Sequence, residues 1–128
     1  MGDAGVGVAI YVKELARLSA FYASLLELEI RQAKPDFAVL ECGPIELILV
    51  AMAPEWAQSV EITSPPMIRE ETPIKPLFLV QDIAQARLRA EALGGRLKDR
   101  ESEWEFGQYR VCDGIDPEGN VFQVRQVV

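Results

Sequence analysis

Histidine is absent from the chain and cysteine occurs only twice. Without histidine, neither a Ser-His-Asp nor a Cys-His nucleophile system can be assembled, and the commonest metal ligand is missing. Cys42 and Cys112 stand far apart with no CxxC spacing, which excludes a disulfide framework and a structural zinc site. Both read as reduced core or strand residues, because no histidine lies beside either to activate a thiolate. Long apolar runs are lacking too. The longest, Leu47 to Ala53, stops at Pro54 and is too short to cross a bilayer. The opening MGDAGVGVAIYV lacks the basic region and longer apolar stretch of a secretion signal, so a cytoplasmic address is expected. Clustered basic charge is also scarce: 13 Lys and Arg face 20 Asp and Glu, for a net charge of −7. The densest basic group, Arg96, Lys98 and Arg100, is interleaved with Asp99 and Glu101, which argues against a nucleic-acid partner. An acidic balance favours cationic ligands by steering, or serves only solubility. No glycine pattern spells a dinucleotide or phosphate loop.

What the chain does contain is a repeat. Val6 to Val12 reads as a strand, followed by a helix over Glu14 to Leu26 with Leu15, Leu18, Tyr22 and Leu25 on one stripe. Pro76 to Val80 reads as a second such strand, followed by a helix from Asp82 to about Leu93 with Ile83, Ala86, Ala90 and Leu93 on its stripe. The two stripes are offset by 68 residues at every position, and the same offset carries Val12 onto Val80 and Glu14 onto Asp82. Asp82 suits an N-cap, Glu14 is a weaker one, and Gly94-Gly95 suits a helix stop. Each helix is followed by three strand-like segments: Glu29–Ala33, Phe37–Glu41 and Ile45–Ala51, then Arg96–Arg100, Tyr109–Gly114 and Val121–Gln126. Turn residues at Lys34-Pro35-Asp36, Cys42-Gly43-Pro44 and Asp116-Pro117-Glu118-Gly119-Asn120 separate them. The predicted organisation is one α+β domain, 1–128: a β-α-β-β-β module over about 5–53, a linker over about 54–73, and a second module over about 74–128. Glu101, Glu103 and Glu105 alternate along a loop or strand edge and read as a solvated face.

Three stretches resemble the vicinal oxygen chelate superfamily, which includes glyoxalase I, extradiol dioxygenases, fosfomycin-resistance enzymes and bleomycin-resistance proteins. Val8-Ala9-Ile10-Tyr11-Val12-Lys13-Glu14-Leu15 leading to Phe21-Tyr22 is similar to its opening strand and helix. Gly43-Pro44-Ile45-Glu46-Leu47 resembles its fourth strand, and Asp116-Pro117-Glu118-Gly119-Asn120 the turn before its last. The resemblance implies two tandem βαβββ modules whose curled mixed sheets enclose a cavity, and a homodimer that covers the open sheets. It also implies four positions that hold metal ligands in metal-dependent members. Here they fall on Gly7, Glu46, Lys75 and Gln123. Glycine has no donor, lysine brings a positive charge and one carboxylate is too little for a divalent ion, so neither a metal nor another cofactor is expected.

In place of a metal, Lys75 would neutralise Glu46 across the cavity; alternatively Lys75 points to solvent and Glu46 sits at a wet mouth. Strand alternation puts Gly7, Ala9 and Tyr11, Lys75, Leu77 and Leu79, and Val121, Gln123 and Arg125 on the cavity side. Val8, Ile10, Val12, Phe78, Val80, Phe122 and Val124 then face the helices. Trp56, Trp104, Phe106 and Tyr109, in less regular segments, would wall the pocket or pack at a dimer interface; such aromatics suit planar or cationic compounds. The expected ligand-binding set is Tyr11, Glu46, Lys75, Gln123, Arg125, Trp104 and Tyr109. The reading that follows is a metal-free small-molecule binding protein of the bleomycin-resistance type. The alternatives are an isomerase or lyase using Glu46 as general acid-base, with Lys75 or Arg125 stabilising negative charge, and a regulatory domain without pocket chemistry.

Overall fold

The repeat is realised as two mixed sheets that each carry one long helix. A computed structural model describes residues 6–69 and 73–128; the start of the expected first module, near Gly5, lies outside the described residues. The first unit runs β1 (Val6–Val12), α1 (Leu15–Leu26), β2 (Ile30–Ala33), β3 (Phe37–Cys42) and β4 (Ile45–Ala51). A short helix, α2 (Pro54–Ala57), precedes the second unit: β5 (Leu77–Leu79), α3 (Ile83–Ala92), β6 (Arg96–Leu97), β7 (Trp104–Phe106), β8 (Tyr109–Ile115) and β9 (Val121–Val127). Strand order is β1-β4-β3-β2 in one sheet and β5-β9-β8-β6 in the other, with β7 also paired to β8. In each sheet the first strand runs parallel to the last and the remaining pairs are antiparallel. This is the α+β arrangement of βαβββ units expected from the sequence, with open sheets rather than a closed barrel. Among the described residues no helix is long and apolar enough to cross a membrane.

The alternation of the strands sorts side chains as their pattern predicts. Val12, Phe78, Val80, Phe122 and Val124 are buried under the helices, while Tyr11, Leu77 and Leu79 stand exposed on the opposite faces. The stripe of α1 (Leu18, Tyr22, Leu25) is buried completely, together with Phe21. From this helix Phe21 and Tyr22 reach the second sheet: their ring centres lie 6.1 and 5.8 Å from that of Phe122, and Tyr22 lies 6.1 Å from Phe78. The helix-bearing faces of the two sheets therefore look toward each other, and their other faces look outward, partly covered where Val39 of β3 and Val111 and Ile115 of β8 are buried. Burying each such ring or leucine contributes roughly 1.5–3 kcal/mol.

The junction between the units is sealed by the Asp116–Asn120 turn. Glu118, only 2% exposed, accepts the backbone N–H of Lys13 at 2.8 and 2.9 Å through its two carboxylate oxygens and that of Glu14 at 2.7 Å. Glu14 makes no side-chain cap of its own. The positive end of α1 is thus capped by a carboxylate from the other unit, 104 residues away. Asp116 is fully buried and accepts the Tyr22 hydroxyl at 2.7 Å, the Asn120 amide at 2.9 Å and the N–H groups of Glu118 and Asn120. Burial pushes the Asp116 carboxyl up, against the opposing pull of its Asn120 and Tyr22 hydrogen bonds. Burial and the neighbouring Asp116 hold Tyr22 well above the usual phenol range. Gly119, at φ +85°, is confined to glycine: a Cβ there would come within 1.9 Å of the Met67 carbonyl oxygen. The Arg69 N–H donates to the Gly119 carbonyl at 2.9 Å, which ties the linker to the same turn.

On α3 the predicted caps are present. Asp82 accepts the Gln85 N–H at 3.2 Å, the Gln126 side chain accepts the Ile83 N–H at 2.7 Å, and Gly94 takes φ +90° at the stop.

Three expectations change. The linker contains α2, whose Pro54 occupies the first turn, where its missing N–H costs nothing. The predicted strand Arg96–Arg100 pairs only over Arg96–Leu97, a 3₁₀ turn follows over Arg100–Ser102, and β7 adds a strand where none was expected. The cause lies in Glu103, which is not on a solvated face: its side chain is 5% exposed and is held by Arg87 and by Arg110, the latter at 3.0 Å. A buried carboxylate must find such cations, and drawing Glu103 inward leaves Trp104 and Phe106 to pair along β8. Cys112 is the expected core residue, fully buried, and burial pushes its thiol up. The side chain of Cys42 lies outside the described set.

Candidate functional site

On the outer face of the first sheet, Gly7 of β1 is paired in register with Glu46 of β4, and Tyr11 lies further along β1. The two strands approach closely at Gly7: a Cβ there would sit a tight 3.2 Å from the Glu46 carbonyl oxygen and 3.9 Å from its Cβ. Glu46 is half-buried, and its other cross-strand neighbour, Glu41, is engaged by Arg31. Helix α2 places Trp56 edge-on to Tyr11, with ring centres 6.0 Å apart. The aromatic wall on this side is therefore Tyr11 with Trp56, both largely exposed.

The outer face of the second sheet carries the remaining predicted residues. Leu77, Gln123 and Asp113 stand side by side on β5, β9 and β8. The Lys75 ammonium donates to Asp113 at 2.9 Å. This corrects the expected pairing of Lys75 with Glu46: Asp113 lies on the sheet that Lys75 enters, whereas Glu46 belongs to the other. Lys75 is also not turned freely to solvent. Among the described residues one buried Asp113 oxygen finds no hydrogen-bond partner. Further along the same face, Leu79, Arg125 and Val111 align, flanked by Trp104 opposite Val111 and Phe106 opposite Tyr109. The Arg125 guanidinium lies 4.0 Å over the centre of the Tyr109 ring. Trp104, Tyr109 and Arg125 thus fall together, and β7 rather than a loop presents the tryptophan.

Within one chain, then, Glu46 and Tyr11 occupy one outward face, and Lys75, Gln123, Arg125, Trp104 and Tyr109 the other. A hollow of about 410 Å³ does indent the surface where the end of α1 meets β5, lined by Leu26, Glu27, Leu79, Val80, Gln81 and Val127. It contains none of the predicted ligand residues and little polar chemistry beyond Glu27 and Gln81, so the two faces are the better candidates.

A family profile described as "Glyoxalase-like domain" matches residues 7–125. The chain belongs to the glyoxalase-like domain family. Solved structures share the fold at low identity. A glyoxalase/bleomycin resistance protein/dioxygenase family enzyme from Burkholderia phytofirmans PsJN is 22% identical, with 95% of this chain and 97% of that one covered and a TM-score of 0.69. The fosfomycin resistance protein FosX from Listeria monocytogenes is 16% identical, with 100% and 96% covered and a TM-score of 0.66. A mutant of that protein, complexed with Mn(II) and 1S,2S-dihydroxypropylphosphonic acid, aligns with a TM-score of 0.68 at 16% identity, covering 100% of this chain and 93% of that one. The chain matches no curated protein.

Measured against a divalent ion, the residues of this glyoxalase-like domain do not fit. Gly7 offers no donor atom, and the Lys75 ammonium is committed to Asp113. Glu46 is left as the one anionic ligand among the four positions, with the neutral Gln123 amide. Among the described residues no group of three or more His, Cys, Asp or Glu is placed to hold a metal. Sequence reasoning missed Asp113. A signal was present, since Asp113 shares its strand face with Tyr109 on β8, but its place beside Gln123 depends on the β8–β9 register, which alternation alone does not give.

Proposed function

We propose that the protein is a metal-free small-molecule binding protein whose ligand lies between the outer face of one sheet and the outer face of the other sheet from a second copy. The observation that carries this reading is the Lys75–Asp113 ion pair, which occupies a position where metal-dependent relatives would place a ligand. The exposed apolar rows on both faces support the second copy: Tyr11 and Trp56 on one, Leu77, Leu79 and Phe106 on the other. In the assembled pair Glu46 of one chain faces Gln123 of the next, and the ligand touches Tyr11, Glu46, Lys75, Gln123, Arg125, Trp104 and Tyr109. The unpaired, buried Cys112 and the acidic composition suit a reducing cytoplasm.

Two measurements test this. Protein incubated with Zn²⁺, Ni²⁺ or Mn²⁺ and desalted is expected to carry no stoichiometric metal by elemental analysis; one tightly held equivalent per chain defeats the metal-free reading. Sedimentation is expected to give a dimer that Leu79→Glu dissociates, and a monomeric wild type removes the shared site.

A second reading, an isomerase or lyase with Glu46 as general acid-base, draws on the fold likeness to the fosfomycin resistance protein. Its weak point is Lys75, whose charge is already balanced by Asp113.

A further inference from the structure

We infer that the ligand is a flat aromatic monoanion, a carboxylate gripped by Arg125 with its ring lying against Tyr109, Trp104 and Phe106. The inference rests on the binding-protein reading and adds to it the class of ligand.

Local charge decides it. The chain as a whole is acidic, at −7, and global steering favours cations. The second outer face runs against that balance. Its Lys75 and Asp113 neutralise each other, which leaves Arg125 as a net positive charge. Four other half-buried arginines are matched by carboxylates: Arg17 by Glu14, Arg87 and Arg110 by Glu103, Arg89 by Glu27; Arg69 of the linker, like Arg125, meets none among the described residues. Arg125 meets no carboxylate among the described residues, and its recorded partner is the Tyr109 ring. A guanidinium half removed from water and left without an anion retains most of its capacity to bind one.

Geometry gives the ligand its shape. The guanidinium carbon sits 4.0 Å over the Tyr109 ring, and a guanidinium carries its five N–H donors in a planar fork. A planar carboxylate can be held there by two parallel N–H···O bonds. Around that point the exposed side chains are apolar: Leu79 pairs with Arg125 on one side, Trp104 lies beyond the buried Val111 on the other, and Phe106 sits opposite Tyr109. Leu79 and Phe106 are 59% and 68% exposed, which is surface for a flat ring to cover. A cationic ligand, an expectation from composition and loose aromatics, is disfavoured, because Tyr109 already carries a cation and a second one would be repelled.

The chain has two tryptophans, so Trp56→Phe leaves Trp104 as a reporter on this face. In that background, benzoate, benzyl alcohol and benzylamine are titrated against fluorescence, with sedimentation run on every sample. Benzoate is expected to quench saturably and to bind about tenfold or more tighter than benzyl alcohol, and Arg125→Met, which keeps the aliphatic stem, is expected to erase that preference. Equal binding of the three probes, tighter binding of benzylamine, or a benzoate preference that survives Arg125→Met overturns the inference while leaving a dimeric binding site intact. Quenching by none of them in a dimer also overturns it. If the protein is monomeric as well, the underlying reading falls with it.

Discussion

Two acidic regions of the molecule use their carboxylates in opposite ways. At the junction between the units, Asp116 and Glu118 are buried, and every oxygen of theirs accepts at least one hydrogen bond. On the outer faces, Glu46 is half-buried, one oxygen of Asp113 is unpartnered and Arg125 meets no carboxylate among the described residues. Where carboxylates hold the two units together, the chain satisfies them completely. On the outer face of the second sheet, an Asp113 oxygen is left without a partner among the described residues. Substitution should therefore lower stability at the first place and change binding at the second.

The largest effect is expected at Glu118. Glu118→Ala strips two backbone N–H groups at the start of α1 of their acceptor and leaves them in a partly buried site, a loss of about 3 kcal/mol by the usual worth of charged hydrogen bonds and helix caps. Urea unfolding measures it. Glu118→Gln, which retains one carbonyl acceptor, should recover roughly half of that loss. If Glu118→Ala costs no more than an ordinary surface change, the junction is held by packing alone and the contrast between the two regions fails.

Tyr22→Phe should cost less, about 1 kcal/mol near neutral pH, because Asp116 keeps its Asn120 partner and two backbone donors. Its pH signature is more telling. The folded protein holds the Tyr22 hydroxyl well above its ordinary range. The folded state therefore binds more protons than the unfolded state once the pH exceeds the unfolded phenol value of about 10. The stability contributed by the protonated hydroxyl is fully present below that value and is lost as pH rises toward the folded value. Wild-type stability should consequently fall more steeply than that of Tyr22→Phe between about pH 9 and about pH 11. Parallel slopes would mean that the hydroxyl is not held by the junction.

The same contrast explains what could be read before the fold was known. The 68-residue offset of the two helix stripes is a local, periodic signal, and it places both helices and their sheets correctly. Alternation alone separates Phe122 and Val124 from Gln123 and Arg125. Glu118 and Glu103 were not legible in that way. Each is an acidic residue in a polar stretch, and only long-range packing, against the start of α1 in one case and against Arg87 and Arg110 in the other, turns it into a buried partner. Lys75 failed for a related reason. Its place beside the second sheet was readable, but its partner depended on which sheet lies within reach of its four-carbon stem, and that is a property of the assembled units.

The smallest expected change in stability is at Glu46, and there a null result is informative. Glu46→Gln preserves shape and one acceptor, and the residue makes no hydrogen bond or ion pair recorded among the described residues. Its unfolding free energy should stay within about 0.5 kcal/mol of wild type. If the shared site exists, affinity for an established ligand should nevertheless fall, because the carboxylate faces the second sheet only across the partner. A Glu46→Gln protein that loses stability as Glu118→Ala does would mean that Glu46 is a structural carboxylate. One that keeps both stability and affinity would remove it from the site. Loss of binding without loss of stability is the outcome that separates a face built to meet a ligand from a junction built to hold still.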